Sequence, residues 1–424
     1  MLRSNRRNFL TTALLGGVAA ALPLSSCSTR SETKTTAGGK NPTYAKLDEI
    51  AQMPVLKKEL FTSPVTIKTL EWLRFEDNFL CRVRSNDGAE GISIGNYRQQ
   101  RSLYPIFANW LQPFFIGKDA RDLEVLLEQV MVVEGNYKAQ SLAIWLPLAT
   151  IEFAILDMLG RLVNKSIGQI VGDIHNTEIS VYQANSERDI SAEETVAHLQ
   201  EKVAESKAKA IKFKLGGRMT HPEFPVGRSE KLIPLVRKTF GDKMVIYADA
   251  NGSYGVEEAI RIGKIMQEYN YDFFEEPVPF DWYEETKQVA DALKIPIAGG
   301  EQEASFHNFR WLIGNNTLKI VQPDMFYFGG IVRSMRVARM AHSLNLQCTP
   351  HTGGSGFLYM MHLISAIPNA GPYHEYKGLG INVPFECKSS SLKPENGVVK
   401  IPNGPGSGVD FTPDVIAKHK PVTA

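Results

Sequence analysis

The feature that most constrains this chain is a charged residue recurring at the ends of short apolar stretches. From Asp249 onward come Glu275, Glu301, Asp324, His351 and Glu375, at steps of 26, 26, 23, 27 and 24 residues. A step of that size holds one strand, one helix and two short connections. Upstream, Lys212 and Lys214 close a similar stretch. Strands are expected at 179–183, 210–215, 244–249, 271–276, 296–301, 318–324, 346–351 and 372–376, with amphipathic helical stretches between them. Eight strands alternating with helices over 176–377 predict an α/β fold, a TIM (β/α)₈ barrel.

The remaining length is assigned by changes of rhythm. Residues 65–67, 79–83 and 91–94 alternate as antiparallel strands, with a turn at Asn86-Asp87-Gly88. Helical spacing runs from 103 to 162, with Ile151, Ala154, Ile155 and Met158 on one face. Residues 60–175 therefore read as an α+β domain, and the Pro-, Gly- and Ser-rich segment 378–424 is expected to pack back on it.

The N-terminus reads as an address. Arg3, Arg6 and Arg7 precede an uncharged apolar run from Phe9 to Leu24, too short for a spanning helix but ordered like a signal peptide. Asn5-Arg6-Arg7-Asn8-Phe9-Leu10 resembles a twin-arginine signal, and Leu24-Ser25-Ser26-Cys27 a lipobox. Residues 1–27 are thus expected to be a signal peptide ending at a lipidated Cys27, and 28–46 a flexible tether. Export to the periplasm of a bacterium follows, with the membrane met only through that anchor. This run is the one segment judged apolar enough to consider for a membrane. Net charge is +1, and loss of the three arginines takes it to −2. With no basic stripe, nucleic acid is excluded as a partner. Cys81, Cys348 and Cys387 remain, an odd, widely spaced set that argues for buried thiols over disulfides.

Barrel enzymes place their chemistry at the C-terminal rim of the strands, where the periodic charges fall. One such residue alone is as well explained as a helix N-cap, a solvated lysine or a satisfied core histidine, but six successive strands ending this way are not. Asp249, Glu275 and Glu301 on neighbouring strands would converge on one point, and all-oxygen ligands suit a hard cation such as Mg²⁺. Without a cation the three carboxylates would raise one another's pKa. Lys212 and Lys214 share a strand face, where like charge is expected to depress a lysine toward the working range of a base. Across the site, Asp324 is placed to orient His351 and make it more basic.

At this point a family resemblance emerges. Ile211-Lys212-Phe213-Lys214, Ala248-Asp249-Ala250-Asn251, Phe274-Glu275-Glu276-Pro277, Gly299-Gly300-Glu301, Gln322-Pro323-Asp324 and Pro350-His351 resemble the mandelate racemase subgroup of the enolase superfamily. The likeness spans about residues 60–390, including Ile116-Gly117-Lys118-Asp119. It implies a modified barrel under an α+β capping domain, a homo-oligomer, and Mg²⁺-assisted removal of a proton α to a carboxylate. By position, Asp249, Glu275 and Glu301 would bind one Mg²⁺, while Lys214 and the Asp324-held His351 would be the two acid/bases. Lys212 would lie beside the substrate carboxylate, and Glu375 would stabilise that group as a carboxylic acid. The muconate-lactonising subgroup would carry lysine on the sixth strand, where this chain has Asp324.

Bases on both faces allow racemisation or epimerisation; a substrate with a β-hydroxyl instead loses water, with His351 as acid, to give a 2-keto-3-deoxy acid. Dehydration of a sugar acid is the preferred expectation. A catalytically idle lipid-anchored binding protein is opposed by the costly charge cluster, and a metal hydrolase by the missing histidine-rich ligand set. Two loops are candidates for specificity, the stretch 96–101 with Tyr97 and Arg98, and 216–227 with His221.

Overall fold

The computed structural model describes residues 42–133, 137–380 and 385–422, without the side chains of residues 42 and 97–99. The expected signal peptide, the lipobox at Cys27 and the first part of the tether lie outside the described residues. The tether's last residues are helical: α1 spans Pro42–Gln52. It forms because it has a surface to cover. Leu47 is fully buried, Asp48 pairs with Arg310 at 2.7 Å, and Asn315 Nδ2 donates to the Tyr44 hydroxyl at 2.6 Å.

The front lobe is an antiparallel sheet of β1 (Ile67–Phe75), β2 (Asn78–Ser85) and β3 (Glu90–Ile94). β1 is longer than its alternation suggested, and β2 turns into β3 through Gly88 at φ +86°. Behind it runs α2 (Leu142–Leu162), buried on nearly every side from Ile144 to Gly160. Its apolar residues therefore cover the whole circumference, and the expected single face was only part of it. The segment is also long and apolar enough to cross a membrane by composition, but 89% of that window is buried within the protein. It is a core helix, and the N-terminal run is not the one such segment. Sheet and helix meet closely at Gly91, where a Cβ would lie 2.2 Å from the Ala154 carbonyl oxygen. Only glycine fits there.

The second layer is the barrel. Its strands are β4 (Glu178–Ala184), β5 (Ala210–Lys214), β6 (Val245–Asp249), β7 (Phe273–Glu275), β8 (Ile297–Gly299), β9 (Ile320–Val321), β10 (Gln347–Cys348) and β11 (His374–Tyr376). They pair in parallel from β4 to β10, and β11 pairs with β4. The β10–β11 seam is held by Cys348 N–H donating to the Asn369 carbonyl (2.9 Å) and Gly371 N–H to the Cys348 carbonyl (3.1 Å). Seven helical crossovers join the strands: α3 (Ala192–Ser206), α4 (Arg228–Phe240), α5 (Val256–Glu268), α6 (Tyr283–Ala292), α7 (Phe306–Gly314), α8 (Ile331–His342) and α9 (Gly356–Ser365).

Strand alternation sorts the side chains. Ile211, Phe213, Ile246, Ala248, Phe274, Ile297 and Val321 join the large core under the helices. Tyr182, Ala210, Tyr247, Phe273, Ala298 and Ile320 form a separate cluster inside the barrel. Two residues on from this inner layer, on the same strand face, stand Lys212, Asp249 and Glu275. The last strands are shorter than expected. Glu276, Glu301, Asp324 and His351 lie just beyond them, where the backbone turns off the ladder, with Glu276 at φ +41° and Gly300 at φ +109°.

The C-terminal segment straps both layers. β12 (Val398–Lys400) pairs with β4 of the barrel, whereas the sequence placed the whole segment on the first lobe. Farther on, Arg161 holds Asp410 at 2.8 Å, and β13 (Lys420–Pro421) pairs with β1. Cys81 and Cys348 are buried, Cys387 is half-buried, and all three are free.

Candidate active site

The barrel mouth opens into a cavity of about 900 Å³, lined among others by Lys214, Asn251, Glu276, Glu301, Asp324 and His351. Beneath it, ligand oxygens of Asp249, Glu275 and Glu301 lie within 4.8 Å of one another, and all three residues are buried. Three carboxylates so close fit a hard divalent cation. Their spacing follows from β6, β7 and β8 being adjacent strands: Asp249 and Glu275 end the first two, and Glu301 lies two residues beyond the third.

Each of the three has a basic neighbour. Lys212 Nζ donates to both Glu275 oxygens (3.0 and 2.8 Å), Lys214 Nζ to Asp249, and His351 Nε2 stands 3.2 Å from Glu301. Mutual repulsion therefore governs only part of the cluster. Burial, followed by Asp249 and Glu301, raises Glu275 despite Lys212. Burial would likewise raise Asp249, but Lys214, Lys212 and Arg188 outweigh it and hold that carboxyl well below the usual range. Glu276 is pushed far up by burial and by its three acidic neighbours.

Lys212 corrects the expectation of a depressed lysine. It is 1% exposed, and burial alone would lower its pKa, yet Glu275 and Glu375 overcome this and raise it well above normal. Lys212 is a fixed cation. The two lysines share a strand face but part at their tips: Lys214 reaches Asp249 and Asn251 Oδ1, the latter at 3.0 Å.

On the opposite side, His351 Nδ1 meets Asp324 Oδ2 at 2.7 Å. The other Asp324 oxygen accepts from the backbone N–H groups of Phe326 and Tyr327, both at 2.7 Å, which fixes the carboxylate and hence the ring. Burial would lower the imidazole, but Glu301, Asp324 and Glu375 lift it to about 9. Glu375, fully buried, is near Lys212 (3.4 Å), Lys377 (2.8 Å) and His351 (3.6 Å). Burial alone would raise it, but these cations hold it well below the usual carboxyl range. These contacts favour the carboxylate over the carboxylic acid that the resemblance implies.

The eight residues expected from sequence thus meet in one place. Those missed are Arg188, Gln322, Asn251 and Lys377. Gln322 Nε2 donates to Glu275 at 3.0 Å, and Asn251 touches Lys214, Asp249, Glu276 and Arg188. Asn251 and Gln322 lie inside motifs that carried the resemblance; Arg188 and Lys377 have no periodic signal. From the 216–227 loop it is Arg218 and Met219 that line the cavity, whereas His221 is exposed on the surface. The side chain of Arg98 lies outside the described residues.

A capped parallel barrel whose rim gathers a carboxylate triad between a lysine and an Asp-supported histidine is the architecture of one class of enzyme. A family model described as "Enolase C-terminal domain-like" matches residues 194–415. The chain belongs to the enolase superfamily, and Asp324 after the sixth barrel strand, His351 after the seventh and its relatives set it in the mandelate racemase subgroup. It is 25% identical over 355 residues to a D-galactarolactone cycloisomerase of Agrobacterium fabrum, covering 80% of this chain and 90% of that one. To an arabinonate dehydratase of Saccharolobus solfataricus it is 24% identical over 324 residues, covering 73% and 81%. A mandelate racemase/muconate lactonizing protein of Paracoccus denitrificans, solved with magnesium, superposes with a TM-score of 0.76 at 24% identity, over 85% and 99% of the chains.

Proposed function

We propose that this protein removes the proton α to the carboxylate of a sugar acid and then expels water from the β-carbon, giving a 2-keto-3-deoxy acid. The carrying observation is geometric: Lys214 against Asp249 and the Asp324-held His351 against Glu301 flank the carboxylate triad. An imidazole oriented by a carboxylate can take a proton from carbon or give one to a departing hydroxyl. Asp249, Glu275 and Glu301 would hold Mg²⁺, which supplies positive charge against the enolate form of the substrate carboxylate.

The chain's own residues do the rest. Lys212, kept charged by Glu275 and Glu375, binds the substrate carboxylate. Lys214 takes the proton from C2, the freed electron pair forms the C2–C3 double bond, and the C3 hydroxyl leaves with a proton from His351. The resulting enol tautomerises to the ketone. The relatives named dehydratases act by name on sugar acids, which supports this reading. Bases on both faces also favour a second one, in which Lys214 keeps the abstracted proton, His351 gives its own to the opposite face of C2, and the product is an epimer.

The test is incubation with Mg²⁺ in D₂O with a panel of aldonic and aldaric acids, following C2 exchange by proton NMR and 2-keto product with semicarbazide. Product is expected with at least one acid; exchange without product selects the epimerase, and neither with any acid refutes both. Lys214→Ala should abolish exchange at one face. Independently of turnover, Mg²⁺ should raise the melting temperature of the native chain but not of Glu275→Gln. We further propose export and anchoring through Cys27, so that Cys27→Ala shifts the protein from the membrane fraction to the soluble one.

A further inference from the structure

Arg188, in the loop after β4, is only 9% exposed, and its Nε and Nη1 have no hydrogen-bond partner among the described residues. Nη2 donates to Asn251 Oδ1 at 2.6 Å. A buried guanidinium with so few acceptors is costly, so what its one contact accomplishes is informative.

Asn251 is a junction. It sits at φ +43°, a left-handed conformation that asparagine tolerates better than most residues. Its N–H donates to Asp249 Oδ1 at 2.8 Å and its Nδ2 to Glu276 Oε2 at 3.3 Å. Its Oδ1 accepts from Arg188 and, at 3.0 Å, from Lys214 Nζ. The amide therefore turns its oxygen to two cations and its NH₂ to the Glu276 carboxyl group. Rotated by half a turn it would present its NH₂ to both cations, donor against donor.

The other Lys214 acceptor, Asp249, belongs to the carboxylate triad, which leaves Asn251 Oδ1 as the neutral acceptor that aims the ammonium. A lysine on a four-carbon stem needs such a fixed point if it is to meet one face of a substrate. Asn251 and Lys214 line the cavity. We infer that Arg188 is a positioning residue for Lys214, acting through the Asn251 amide, and so controls proton transfer at one face of the substrate only. This rests on the proposed role of Lys214 as a base.

The experiment is C2 exchange in D₂O with Mg²⁺, using both C2 epimers of each aldonic and aldaric acid. The two faces are assigned by which epimer loses exchange in Lys214→Ala and which in His351→Asn. Arg188→Met should lower kcat for exchange at the Lys214 face about tenfold, with KM and the His351 face each within about twofold. Arg188→Lys should recover part of the loss. On an Asn251→Ala background, Arg188→Met should cost no more than about twofold, because the contact it acts through is already gone. A crystal structure of Arg188→Met should show the amide rotated away from Lys214.

Equal loss at both faces, or additive losses with Asn251→Ala, would overturn the inference and leave Arg188 a structural residue. Should Arg188→Met fail to fold, Arg188→Lys alone and combined with Asn251→Ala gives the same cycle. Undiminished exchange in Lys214→Ala, or none in the native chain, refutes the proposed reaction itself and is separable from any result on Arg188.

Discussion

Asp324 holds His351 with one oxygen while two backbone N–H groups hold the other. Such a carboxylate selects the ring's tautomer and orientation as well as its charge. Asp324→Asn keeps the shape but removes an anion beside Nδ1. Exchange at the His351 face is expected to fall about a hundredfold, with the Lys214 face nearly unchanged, as separate rates for the two C2 epimers will show. At this scale the sequence was most informative where strand period and barrel period coincide. Asp249, Glu275 and Glu301 were legible because consecutive βα units repeat at nearly one length, with an acid at or just past the end of each strand. Lys212 and Lys214 were located correctly, but the behaviour of Lys212 was not, since it depends on Glu275 and Glu375 arriving from other strands. Arg188 was invisible because a loop imposes no spacing on its residues.

Among the elements, α2 shows why periodicity has limits. A helix enclosed on nearly all sides carries little amphipathic rhythm, and its two acids matter more than its apolar face. Asp157 accepts from Ile92 N–H of β3 (2.9 Å), Ser407 N–H of the C-terminal segment (2.7 Å) and Arg161 Nε (2.8 Å), joining three elements. Glu152 accepts from Val332 N–H at the start of α8 (3.0 Å), and burial pushes it up to about 8 despite that bond and the nearby arginines. The two should respond unequally. Asp157→Ala strands buried donors and is expected to cost about 3 kcal/mol. Glu152→Gln, replacing an acid already mostly protonated at pH 7, should cost less than about 1 kcal/mol. Urea unfolding of both variants at pH 7 decides it, and equal losses would refute the assignment. The cap's strands were legible from alternation and turn chemistry. α1 and β12 were not, because both exist through surfaces supplied by distant parts of the chain.

For the molecule as a whole, the strap from the barrel back to the cap carries a pH dependence separable from the active site. His362 on α9 is fully buried, and its Nε2 lies 3.0 Å from the Ser407 carbonyl in the C-terminal segment. Burial lowers it to about 4, more than that carbonyl can offset. The same holds for His374, also lowered to about 4 by burial. A histidine depressed in the fold binds its proton more tightly once unfolded, where its pKa is 6.5. Between pH 6.5 and 4 the unfolded chain therefore carries more protons, so stability falls as pH falls through that window and is fully present above it. Each tenfold difference in proton affinity between the two states is worth about 1.4 kcal/mol at most. Glu152 acts in the reverse sense, since a raised carboxyl loses stabilisation as pH rises from 4.5 toward 8. The two windows overlap from pH 4.5 to 6.5, where the effects oppose each other; above 6.5 only the Glu152 loss continues, and below 4.5 only the histidine loss. Replacing His362 with glutamine removes a titrating group while keeping a side chain able to donate to Ser407. Urea midpoints measured from pH 4 to 8 should show a shallower acid limb in His362→Gln and an unchanged alkaline one. If the two acid limbs coincide, protonation of His362 does not govern how the strap releases.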